Sequence, residues 1–133
     1  MRHILILSAL IWSAVAVSAV LTPAQAAPAT LEGAWRGSGI VSYKRGADPL
    51  TCRVRYARSA GKSFTVSATC ATDTGRYELS GSVASAGGNR YTGTVHGTQQ
   101  SQSGTVSLSL HGNSQSVTVT SRRGSARLTL SRH

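Results

Sequence analysis

Carboxylates are scarce in this chain: four Asp and Glu stand against 14 Lys and Arg, for a formal net charge of +10. General acid/base chemistry therefore has few candidates, namely Glu32, Asp48, Asp73 and Glu78. Asp48 in Gly46-Ala47-Asp48-Pro49 and Asp73 in Asp73-Thr74-Gly75 read as turn residues, whose carboxylates bond their own backbone. Glu78 reads as an outward residue near Arg76. No serine sits in a Gly-x-Ser-x-Gly elbow. No glycine-rich loop leads into a helix that could cradle phosphate, because helical periodicity is missing after Pro28. Neither cysteine has a histidine near it in sequence, so no zinc ligand set is apparent. A hairpin centred between Gln100 and Ser101 would set His96 opposite Thr105 and His111 opposite Arg90, about 20 Å apart, too far to share a metal. His133 is terminal. No catalytic residue, metal site or cofactor is named on these grounds, and a non-enzymatic protein is expected.

What is present begins with an apolar segment. Arg2 and His3 precede a nearly continuous apolar stretch, Ile4 to Leu21, which Thr22-Pro23 breaks before Ala24-Gln25-Ala26. A short basic head, an apolar run and a small-x-small site describe a cleaved signal peptide over residues 1–26. The alternative is an N-terminal membrane anchor, since 18 residues is near the lower spanning limit. Cleavage after Ala26 leaves 107 residues (133 less 26), a net charge of +9, a short tail over 27–32 and one domain over 33–133. The mature chain is then not membrane-spanning, and a periplasmic or secreted bacterial location is expected. Both Cys52 and Cys70 survive cleavage, and an even count in an exported small domain reads as a disulfide.

Beyond the tail, Gly, Ser and Thr punctuate runs of strict polar/apolar alternation, the period of a β-strand. Eight runs are predicted, about 34–44, 50–58, 62–70, 75–84, 89–97, 104–111, 115–121 and 125–131. One face collects Trp35, Val41, Tyr43, Cys52, Val54, Tyr56, Phe64, Val66, Val83, Val95, Leu108, Val117 and Leu130; the other collects arginine, serine and threonine. A sheet apolar on one face must bury it, and eight short strands can do so by closing on themselves. The expectation is an all-β, small antiparallel up-and-down eight-stranded barrel, with a β-sandwich as the alternative. Inward glycines (Gly37, Gly39, Gly81, Gly93, Gly97) mark places where such a barrel bends and leave room for an internal space. The cysteine positions average to Gly61, in the turn between runs two and three, so one hairpin sets Cys52 opposite Cys70, Val54 opposite Ala68 and Tyr56 opposite Val66.

Gly33-Ala34-Trp35 at the start of the first strand and Arg132 after the last resemble the signature of the calycin barrels, which include lipocalins and avidin-like proteins. The resemblance implies a barrel floor closed by Arg132 packed over the Trp35 indole. Within that group the layout is similar to small periplasmic inhibitors of secreted metalloproteases, whose N-terminal tail enters the protease cleft; here that tail would be Ala27-Pro28-Ala29-Thr30-Leu31. The segments Gly33-Ala34-Trp35-Arg36-Gly37-Ser38-Gly39 and Cys52-Arg53-Val54-Arg55-Tyr56 also resemble small exported alphaproteobacterial proteins of unknown function. Gly88-Asn89-Arg90-Tyr91-Thr92-Gly93 resembles a loop of bacterial C-type lysozyme inhibitors, but the Trp-x-Lys element that follows there is absent, and a protein of this charge repels a basic lysozyme.

Charge gives the remaining functional reading. Lys44, Arg45, Arg53, Arg55, Arg58 and Lys62 all fall in the first three strands and their turns. Such a group attracts anionic lipid, lipopolysaccharide or acidic polysaccharide. Nucleic acid is not expected, since no outward aromatics offer base stacking. The expected function is an exported binding protein recognising an anionic envelope component, the alternative being a protease inhibitor or a small-ligand carrier of calycin type.

Overall fold

Alternation of apolar and polar side chains produces strands wherever the sequence shows it. The computed structural model describes residues 14–19, 30–98 and 102–133. Among them are eight strands: β1 (Gly33–Tyr43), β2 (Gly46–Ala60), β3 (Ser63–Thr72), β4 (Gly75–Gly87), β5 (Arg90–Gly97), β6 (Ser103–His111), β7 (Ser114–Ser121) and β8 (Gly124–Arg132). Each pairs antiparallel with the next, and β8 returns to β1, which closes an up-and-down barrel with no free edge. The sandwich alternative is thereby set aside. Apart from residues 14–19, the expected leader with its cleavage site, and Ala27 to Ala29 of the tail, lie outside the described residues, which hold no helix long and apolar enough to cross a membrane.

The closed barrel turns two sharp corners, four strands apart. At the β8–β1 seam the inward positions are Gly37 and Gly39; at the β4–β5 seam they are Gly81 and Gly93. A Cβ on Gly39 would stand 1.7 Å from the Arg127 carbonyl oxygen, and one on Gly93 would stand 1.8 Å from that of Ser82. The neighbouring strand folds over the space a side chain would need. The glycines thus let the sheet fold back on itself, and they open less internal room than their number suggests.

The hairpin between β2 and β3 has the expected register: Cys52 opposes Cys70, Val54 opposes Ala68, and Tyr56 opposes Val66. Cys52 and Cys70 form a disulfide with their Cα atoms 4.1 Å apart, both buried in the core. The bond spans 18 residues and clamps one hairpin. By chain entropy, replacing both cysteines with alanine is expected to cost about 3 kcal/mol, measured by urea unfolding.

Between β5 and β6 the register differs from the expected one by two residues. His96 faces Ser103, and Arg90 faces Ser109 in place of His111. The ends of the loop decide this. Gly97 N–H donates to the Gln102 carbonyl at 2.9 Å, which extends the ladder, while Thr98 N–H donates to Glu78 on β4. A shift of two keeps every side chain on its own face.

Candidate functional site

The two ends of the barrel are built differently. At one end the tail turns into β1 at Gly33, whose φ of +121° and closeness to the Arg132 side chain both favour glycine. This turn places Leu31, fully buried, beneath the barrel. The Trp35 indole Nε1 donates to the Leu31 carbonyl at 2.9 Å. The Arg132 guanidinium lies 4.4 Å from the Trp35 ring centroid. Its Nη1 donates to the Glu32 carbonyl at 2.9 Å and its Nη2 to that of Thr30. The cation is thus stacked on a π face and shared between two backbone acceptors, which ties the tail across the base.

Above this base sits a buried polar pair. The Tyr56 hydroxyl donates to Gln115 Oε1 at 2.8 Å, and the Gln115 amide nitrogen has no partner among the described residues. Burial pushes the Tyr56 phenol well above its ordinary value of 10.0. The unfolded chain then loses that proton near pH 10 while the folded chain keeps it. Stability is therefore expected to be level below about pH 9 and to fall above pH 10, by about 1.4 kcal/mol per pH unit for this group. Urea midpoints measured from pH 7 to 11 for wild type and Tyr56→Phe check this, the variant having the shallower fall.

The other end is open. A cup of about 480 Å³ descends from it, with Leu50, Leu79, Val95, Val119, Ala126 and Leu128 on its walls and Cys70 of the disulfide among them. Tyr43, Tyr77, Asp48, Gln102 and Arg123 also line it. Asp48 is not in a turn as its sequence context suggests. Strand β2 starts at Gly46, so Asp48 stands in the ladder opposite Val41, with the inward parity of Leu50 and Cys52. Partial burial, together with the neighbouring Tyr77 and Asp48, raises the Tyr43 phenol above its ordinary range. With its amide oxygen toward Arg123, Gln102 accepts from Arg123 Nε at 3.0 Å and Nη1 at 2.9 Å. The cup is thus apolar in depth, with hydrogen-bonding groups at its opening, the usual construction of a small-molecule pocket.

The six basic residues singled out by sequence are spread over the length of β2 and its turns. Lys44 and Arg45 lie in the β1–β2 turn at the open end. Arg53 and Arg55 are exposed on the outer wall. Arg58 is near the closed end, where Nη1 donates to the Gly61 carbonyl at 2.9 Å and the guanidinium lies 5.2 Å from the Phe64 ring centroid. Lys62 is in the turn beyond. Sequence reasoning missed Arg36, which β1 sets directly opposite Arg53. A hairpin centred between Lys44 and Arg45 would have shown it. His96 and His111 do not line the cup: His96 is outward on β5, 3.2 Å from the Ser80 hydroxyl, and His111 ends β6 beside Asn89. Among the described residues no group of three or more His, Cys, Asp or Glu is placed to hold a metal.

No protein-family model matches the chain, and no curated protein matches it. Solved structures do. The chain is similar to a de novo designed fluorescence-activating β-barrel, with a TM-score of 0.62 and 13% identity over 77% of this chain and 93% of that one. It is also similar to a redesigned β-barrel, mFAP1, bound to DFHBI, with a TM-score of 0.65 and 8% identity over 77% and 94%. A further redesigned barrel gives 0.65 and 14% over 77% and 91%. At these identities the likeness is one of fold.

Proposed function

We propose that this chain is an exported, non-enzymatic binding protein that carries a small, mainly apolar molecule in the open cup of its barrel. The observation that carries this reading is the asymmetry of the two ends. Leu31, Trp35 and Arg132 seal one end, and the other leaves about 480 Å³ lined by aliphatic side chains. A volume of that order suits a small organic ligand, whose apolar surface supplies affinity while the groups at the opening orient it. The packing of Arg132 on Trp35 supports the calycin-type resemblance, a group whose barrels commonly hold such ligands. The redesigned barrel bound to DFHBI supports the same class of occupant. Thr30, Leu31 and Glu32 are bound into the base, which favours the cup over the tail as the place of binding.

Native mass spectrometry of the mature protein, purified from an exporting host without organic solvent, tests this. The expected result is a population heavier than the bare chain that loses the extra mass on denaturation. A protein that is bare as isolated, and stays bare after incubation with a panel of uncharged apolar compounds, would overturn it.

A further inference from the structure

The outer wall of the first two strands carries charge that no side chain of the flanking strands answers. Arg36 stands opposite Arg53, and Arg55 follows on the same face, about 7 Å along β2. All three are exposed. Thr69 and Ser67 flank Arg53 and Arg55 on β3, Ser131 flanks Arg36 on β8, and Ala34 lies opposite Arg55. Three guanidinium groups therefore rise from a floor of alanine and hydroxyl side chains too short to cover them. Neither flanking strand, β3 nor β8, carries a carboxylate, and the first on this face beyond β3 is Glu78, opposite Thr69. Like charges directly opposed across a sheet destabilise it, so the wall holds an unfavourable arrangement that an external anion would relieve.

We propose that this wall is a second ligand site, independent of the cup, which takes an acidic polysaccharide laid along β1 and β2. The guanidinium fork pairs two hydrogen bonds with a carboxylate or sulfate. The serine and threonine floor gives a hydroxyl-rich polymer further partners at short range. The same row has no exposed aromatic to stack on a base and no apolar side chain to enter a bilayer. The exposed large hydrophobics of the barrel, Ile40 and Tyr43, lie further along β1 toward the open end.

Binding of the mature protein to immobilised polygalacturonate at low and physiological salt tests the proposal. Two variants with the same loss of charge are compared. One carries Arg36→Gln, Arg53→Gln and Arg55→Gln; the other carries Arg76→Gln, Arg90→Gln and Arg122→Gln, exposed positions outside this wall. The first is expected to lose about tenfold or more in affinity, and the second to stay within about twofold at physiological salt, where long-range attraction is screened. Polygalacturonate is also expected to raise the melting temperature of the wild type at low salt and not that of the first variant. The first variant alone is expected to melt no lower than wild type, because it removes a repulsion. Equal losses in both variants would overturn the proposal, leaving only net charge. So would no binding to polygalacturonate, or binding to phosphatidylglycerol vesicles in its place.

Discussion

Trp35→Ala is expected to destabilise the protein by about 3–5 kcal/mol, the range for emptying a large buried aromatic site. For a domain whose total stability falls in the usual range of about 5–15 kcal/mol, that is a large fraction. The cost is not only the volume removed. The indole is 1% exposed, its Nε1 holds the Leu31 carbonyl, and its face carries the Arg132 guanidinium. Without it, Leu31 loses its anchor and Arg132 loses the surface that lets it sit at the base. Arg132→Gln keeps the indole and is expected to cost less, about 1–2 kcal/mol. Urea unfolding of both variants checks the order. If Trp35→Ala costs no more than Arg132→Gln, the base is not organised around the indole.

Gly39→Ala is expected to cost about 3 kcal/mol or more, an unusually large effect for one methyl group. The added Cβ would meet backbone of the paired strand, the Arg127 carbonyl at 1.7 Å, and no side chain can rotate away to relieve it. The β8–β1 corner would have to open. Gly75→Ala is the control: a Cβ there would have nothing within 4 Å, and a change within about 0.5 kcal/mol is expected. If the two variants unfold at the same urea midpoint, the corner does not depend on a missing side chain.

The barrel was legible because strand period, turn residues and cysteine parity agree. Run two and run three share a two-residue turn, Gly61-Lys62, which alone would pair Cys52 with Ala71; a bulge between Arg58 and Ala60 shifts the ladder by one, and Cys52 meets Cys70, the partner that its parity requires. The loop between β5 and β6 has no such constraint. It is longer and lacks a compact turn signal, so its register depends on hydrogen bonds from Gly97 and Thr98 that no local pattern announces. Leu31 was missed for a different reason. It precedes the first alternating residue, and only the turn at Gly33 brings it under the barrel. Gln115 has the inward parity of Val117 and Val119, but a polar side chain there carries no apolar signal. The base was therefore legible through Trp35 and Arg132 and not through Leu31. The cup was legible only as a suspicion of space, because its depth depends on how far the glycine corners bring the walls together.

The cup itself is tested most directly by titrating the protein with N-phenyl-1-naphthylamine, an uncharged fluorophore that brightens in apolar surroundings. Ala126→Trp, which projects bulk from a partly buried wall position into the cup, serves as the comparison. The predicted result is saturable brightening with wild type and its loss in Ala126→Trp, with the circular dichroism spectrum and cooperative unfolding of a folded barrel retained. Equal brightening by wild type and a folded Ala126→Trp variant, or none by wild type, would contradict an open ligand cup.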